Sequence, residues 1–202
     1  MKLYRLSINE ENKVWRKYFT FAERFMCNEE EIESTEFVLK QPPYNNIKIQ
    51  ALSNGYVIKD ESFFTKEKMP EFSEIENVLF IKEDIFYIEA FSNLKGINFI
   101  DIKVDGDFSK GYKLLTFDSS VDCIDEVNSK RAQFEFFSTL IFDSSKIPAK
   151  VDGFFLKNWN QYGQYVTIVN ERTKEVLLSL PKAKDFLVFY EIAVTPSARA
   201  SL

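Results

Sequence analysis

The sequence predicts an α+β chain of mixed, largely antiparallel sheets with a few short helices. Apolar alternation at period two recurs in short runs. In Ile97–Val104, for example, Ile100, Ile102 and Val104 are separated by Asp101 and Lys103, the pattern of a strand with one face buried. Apolar residues at helical spacing occur in isolated segments that do not alternate regularly with the strands, which favours α+β over α/β. The third observation is composition: 45% of 202 residues are hydrophobic and 28% charged, a globular balance with ample core.

The elements follow in order. Val14, Trp15, Tyr18, Phe21, Ala22, Phe25 and Met26 stand at helical spacing behind Asn12, a good cap, so a helix is expected over 13–26. An acidic loop follows it, and Pro42-Pro43 breaks any regular element. Residues 46–59 read as a hairpin around Asn54-Gly55. Ser73-Glu74-Ile75-Glu76 matches a capping box, which predicts a helix from Ser73. Strands are expected at 85–90, 97–104, 112–117, 134–142 and 165–169, with a turn at Asp105-Gly106-Asp107. Residues 171–180 form a short helix stopped before Pro181, and 186–194 form a last strand. The division expected is an N-terminal α+β subdomain over 1–91, a β-rich subdomain over 92–194, and an unordered tail over 195–202.

Charge and composition narrow the function. The net charge is −5. Residues 23–36 hold six glutamates and one arginine, and 60–76 hold six acids and two lysines. Such stretches repel phosphate backbones, so no nucleic-acid partner is expected. No apolar run reaches the roughly 20 residues that span a bilayer, and the N-terminus lacks a signal-peptide core. With Cys27 and Cys123 outside any CxxC spacing, the expectation is a soluble cytoplasmic protein with two buried thiols.

The chain contains no histidine. That removes Ser–His–Asp triads, Cys–His pairs and HExxH zinc sites. Gly106 and Gly111 have phosphate-loop spacing, but Tyr112-Lys113 follows where Lys-Ser/Thr is required. Asp101, Asp105, Gly106 and Asp107 fail as a calcium loop, because Lys103 and Tyr112 stand at ligand positions. Carboxylate chemistry needs no histidine. Asp118, Asp122 and Asp125 form the tightest aspartate cluster, expected to cap turns. No catalytic residue, metal or cofactor is therefore assigned.

Contact residues are the stronger candidates. Trp159-Asn160-Gln161-Tyr162-Gly163-Gln164-Tyr165 has the aromatic and amide composition of binding hot spots. Trp159, Tyr162 and Tyr165 are assigned to a partner, together with Glu29, Glu30, Glu31 and Glu33 of the acidic stretch. These assignments rest on composition and charge alone.

From Tyr112 onward the chain resembles a family of bacterial immunity proteins from polymorphic-toxin systems. The residues that carry the resemblance are Tyr112-Lys113-Leu114-Leu115, Val121-Asp122-Cys123-Ile124-Asp125 with Ser129, and Leu140-Ile141-Phe142-Asp143. Ile147-Pro148, Gly153-Phe154-Phe155-Leu156 and the helix at 171–180 complete it. Met1-Lys2-Leu3-Tyr4 is also similar. Lys157 stands near the place where the family pattern has an arginine. The resemblance implies a non-catalytic protein that binds a cognate toxin domain, and an acidic inhibitor would steer toward a basic toxin. A soluble scaffold domain with another partner, or a carboxylate-based hydrolase, are the alternative readings.

Overall fold

A computed structural model of the chain describes residues 1–13, 22–27, 30–32, 47–53, 56–57, 70–75, 77–104, 111–131, 137–159 and 165–195. The fold is α+β, with two large, mixed and largely antiparallel sheets, a two-stranded β-ribbon (Lys130–Arg131 with Phe137–Thr139) and three short α-helices among the described residues. In chain order the elements are β1 (Leu3–Ile8), β2 (Ala22–Cys27), β3 (Glu30–Ile32), β4 (Ile47–Ser53), β5 (Tyr56–Val57), β6 (Phe72–Ile75) and β7 (Val78–Lys82). A 3-10 turn (Glu83–Ile85), α1 (Ile88–Phe91), β8 (Ile97–Val104), β9 (Tyr112–Phe117), β10 (Ser120–Val121), β11 (Lys130–Arg131), β12 (Phe137–Thr139) and β13 (Ile141–Asp143) follow. The chain closes with β14 (Gly153–Leu156), β15 (Val166–Asn170), α2 (Glu171–Ser179), α3 (Ala183–Phe186) and β16 (Leu187–Thr195).

The first sheet runs β10-β14-β15-β1-β16-β13. Its middle is antiparallel, and β10 and β13 join the edges in parallel. The second runs β3-β2-β4-β8-β9-β7-β6, with β5 on β4 and a parallel β4–β8 pair. Both sheets draw strands from either side of residue 92, so strand pairing crosses the expected subdomain boundary in both directions.

Strand alternation gives the first sheet two buried faces. Tyr4, Leu6, Ile8, Phe155, Val169 and Leu187 point one way, into a core shared with Phe72, Val78–Ile81, Tyr112 and Phe117 of the second sheet. Leu177, Leu180, Ala183 and Phe186 of the two last helices close that core. Leu3, Phe154, Leu156, Val166, Ile168 and Ile192 point the other way, against Cys123, Ile124, Phe142 and Trp159. A sheet covered on both faces is apolar on successive residues, as Phe154-Phe155-Leu156 is.

Several expected elements take another form. Ala22–Cys27 is a strand paired residue by residue with Leu52–Ile47, not the end of a helix. Its Phe, Met and Cys suit a pleated surface as well as a helix, and ladder pairing decides between them. The acidic segment is in part strand: Met26↔Glu31 and Cys27↔Glu30 form a hairpin rather than a loop. Ser73 starts no helix. Ile75 pairs with Val78, and Asn77 turns the chain at φ 66°, a left-handed conformation that asparagine tolerates. The Ser73 hydroxyl caps nothing and is buried without a hydrogen-bond partner. Residues 85–90 are not a strand. The chain turns there so that Phe86, Phe91 and Phe99 meet at ring distances of 4.5–5.5 Å. The run to Phe142 splits at Leu140 into β12 and β13, which pair in different sheets. Phe186 closes α3 rather than opening the last strand. The expected hairpin is present as β4–β5, with Leu52↔Val57 and Ser53↔Tyr56. The turn at 105–107 and the tail beyond Thr195 lie outside the described residues.

Candidate functional site

The second face of the first sheet carries an open depression of about 310 Å³. Its lining includes Arg5 on β1, Tyr190 and Ile192 on β16, Phe137 on β12, Leu140 just after β12, and Trp159 after β14. Arg5 and Tyr190 are direct partners across the central β1–β16 ladder. Period-two alternation puts both on the face of Leu3 and Ile192 and keeps Leu6 and Phe189 on the other.

The polar and aromatic groups here touch one another. The Arg5 guanidinium lies 4.4 Å from the Tyr190 ring centroid and 5.2 Å from that of Trp159. Trp159 in turn lies 6.0 Å from Phe137, and the Arg131 guanidinium lies 4.3 Å from the Phe137 ring centroid. The order Arg131–Phe137–Trp159–Arg5–Tyr190 runs cation, ring, ring, cation, ring: cation–π attraction holds three of its steps, and a tilted ring contact joins Phe137 to Trp159. Trp159 is 7% exposed and anchors the floor; Tyr190, at 48%, forms the rim. Glu191 also borders the depression. Alternation turns its carboxylate to the opposite face, where it pairs with Lys2 at 3.8 Å.

That opposite face bears a second polar cluster. The Tyr4 hydroxyl donates to Glu171, and the Lys174 amine lies 3.8 Å from the Tyr4 ring. The Glu171 hydrogen bond pushes the phenol up and the carboxyl down from their ordinary values. Both groups thus stay in their usual protonation states near neutral pH, and the cluster fastens the first turn of α2 to β1.

The aspartates singled out in the sequence are separate and locally engaged. Asp118 accepts from the Asn98 amide and Asp122 from that of Asn158. Asp125 accepts from the backbone of Val127 and Asn128 and from the Asn128 side chain. This Asx turn, led by the Asn128 side chain, holds Asp125 below the usual aspartate range. Among the described residues, no three Cys, Asp or Glu side chains converge as a metal site would need. No helix there is long and apolar enough to cross a membrane.

The predicted contact residues are dispersed. Trp159 belongs to the depression. Tyr165 is half-buried on the other face, edge-on to Phe155 at 6.3 Å. Tyr162, Glu29 and Glu33 lie outside the described residues. Glu30 and Glu31 stand on β3, at the edge of the second sheet. Sequence reasoning passed over Arg5, Phe137 and Tyr190. One signal was readable for Arg5: an arginine inside the apolar run Leu3-Tyr4-Arg5-Leu6-Ser7-Ile8 breaks the pattern of a core strand.

Compared with known proteins, the chain matches no family model and no curated sequence.

Proposed function

We propose that the chain is a non-catalytic cytoplasmic protein that binds and neutralises a cognate toxin domain. The observation that carries this reading is the depression built from Arg5, Trp159, Tyr190 and Phe137. Arg, Trp and Tyr are the residue types that dominate binding energy at protein interfaces, above all where a buried anchor is ringed by partly exposed groups. Here a buried Trp159 lies beneath a half-exposed Tyr190. The described aspartates of the 118–125 segment are each occupied in local turns and hydrogen bonds, which suits structure better than acid–base work. The resemblance of the second half to toxin-immunity proteins supplies the kind of partner.

Affinity capture from native cytoplasm, with the captured protein identified and its toxicity assayed with and without this chain, tests the reading. The expected result is a toxin domain whose activity the chain suppresses. Recovery of no toxin fragment, under conditions that preserve nanomolar complexes, sinks it. Tyr190→Ala, at the half-exposed rim, is expected to lower capture about ten-fold or more, with little change in thermal midpoint.

A further inference from the structure

We infer that the depression around Arg5 receives a carboxylate side chain of a partner protein, presented between apolar neighbours. The inference rests on the binding reading above and specifies the chemistry of one contact within it.

Arg5 is half-buried on the central strand, and its contacts are with ring faces. Stacking engages the faces of the planar guanidinium and leaves its N–H donors free to act in its own plane. Among the described residues, no acceptor bonds those donors and no carboxylate lies within ion-pair distance of Arg5; the Glu74 carboxylate feels its charge without contact. Other cations differ: Arg131 holds Glu126 at 2.9 Å, Lys182 holds Glu71, and Lys2 holds Glu191. A half-buried cation with an unfilled fork is complemented best by a planar carboxylate, which accepts two parallel hydrogen bonds. Leu140, Ile192 and Phe137 give the wall apolar surface, and Glu191 borders it with its carboxylate turned away to Lys2. A phosphate dianion would stay half-neutralised against such a wall, whereas one carboxylate matches one guanidinium.

The shape selects a protein over a free acid. Small-ligand sites bury most of their ligand, and this depression is open on one side. A partner surface supplies the missing wall and brings apolar side chains to the rim. The chain is acidic overall, so this contact runs against the net field. It would fix the register of docking rather than speed encounter.

The test titrates the full chain, labelled with ¹⁵N, with two blocked peptides, acetyl-Leu-Glu-Leu-amide and acetyl-Leu-Gln-Leu-amide. Saturable shifts of the Trp159 indole N–H and the Arg5 side-chain N–H are expected with the glutamate peptide. Binding should be about ten-fold weaker with the glutamine peptide. In Arg5→Gln the two peptides should become equivalent, while Arg5→Lys retains part of the preference. Equal responses of the wild type to both peptides, or none at Trp159, overturn the inference, and these outcomes need no variant to fold. A tighter response to a third blocked peptide, acetyl-Leu-phosphoseryl-Leu-amide, overturns the choice of carboxylate. If a toxin domain is captured and Arg5→Gln captures it equally well, the pocket assignment fails while the binding reading stands. If none is captured, the binding reading fails, and the peptides decide the pocket on their own.

Discussion

Gly153 shows how closely the two sheets approach at one residue. A Cβ placed there would lie 2.3 Å from Cε1 of Phe117 and 3.0 Å from the Ile168 carbonyl oxygen. Phe117 is 1% exposed and packs edge-on against Phe155 at 4.9 Å, so its ring has nowhere to swing. Gly153→Ala is therefore expected to cost about 1–3 kcal/mol, the range for overpacking a filled core. Chemical denaturation measures it. Phe117→Leu should recover part of the loss in the double variant, and strict additivity would refute direct contact. Cys123 makes a second residue-scale case. Burial, aided by the Asp122 charge, pushes its thiol up to about 12, roughly a thousand-fold less thiolate at neutral pH than at a cysteine's ordinary 9.0. In a Cys27→Ser background, a thiol reagent should fail to label the native chain and label it fully once unfolded. Rapid native labelling would contradict the burial.

At the scale of elements, α2 was legible because its signals are local. Pro181 marks its end in the sequence, whereas the Asn170 cap ahead of it emerges only in the structure. The structure uses Asn170 twice: its Oδ1 accepts from the Thr173 N–H at 3.0 Å, and its Nδ2 donates to Asp152 at 2.7 Å. Asp152 also accepts from the Lys95 N–H at 2.7 Å, so the cap ties α2 to the segment before β8. Asn170→Ala should cost about 1–2 kcal/mol. Asn170→Ser, which can cap but cannot reach Asp152 as an amide does, should restore only part. Equal stability of Ser and Ala variants by thermal melting would remove the capping role. The strands at 97–104 and 112–117 were legible for the same local reason, since a half-buried ladder imposes period two. Ser73 misled because a capping box records what four residues can do alone. Pairing of Phe72–Ile75 with Val78–Ile81 outweighs it. The aromatics of 22–27 and 85–90 fit helix or strand equally, and partners distant in sequence decided each. The depression was illegible for that reason too, since Arg5, Phe137, Trp159 and Tyr190 meet only through strand order.

Across the whole molecule, the two sheets are joined by one carboxylate as well as by the apolar core. Glu74 on β6 accepts a hydrogen bond from the Ile8 N–H on β1 at 2.9 Å. Burial between the sheets raises the carboxyl above its ordinary 4.5, although the Ile8 and Ser7 hydrogen bonds and the Arg5 charge act against that rise. A group of this kind has a definite sign. Between pH 4.5 and the raised value, the folded chain retains a proton that the unfolded chain has lost, so stability falls as pH climbs through that window. Asp125 and Asp143, held low by turn hydrogen bonds, act oppositely, and their contribution is lost as pH falls. The total profile is thus a sum of opposing slopes, and Glu74→Gln isolates one of them. Glutamine keeps an acceptor for Ile8 and carries no charge at any pH. The stability of wild type relative to Glu74→Gln should therefore decline as pH rises from below 4.5 toward neutrality. Paired urea titrations across that range measure the difference. A difference that stays constant with pH would show that Glu74 titrates in the folded chain as it does in the unfolded one, and that the two sheets meet without desolvating it.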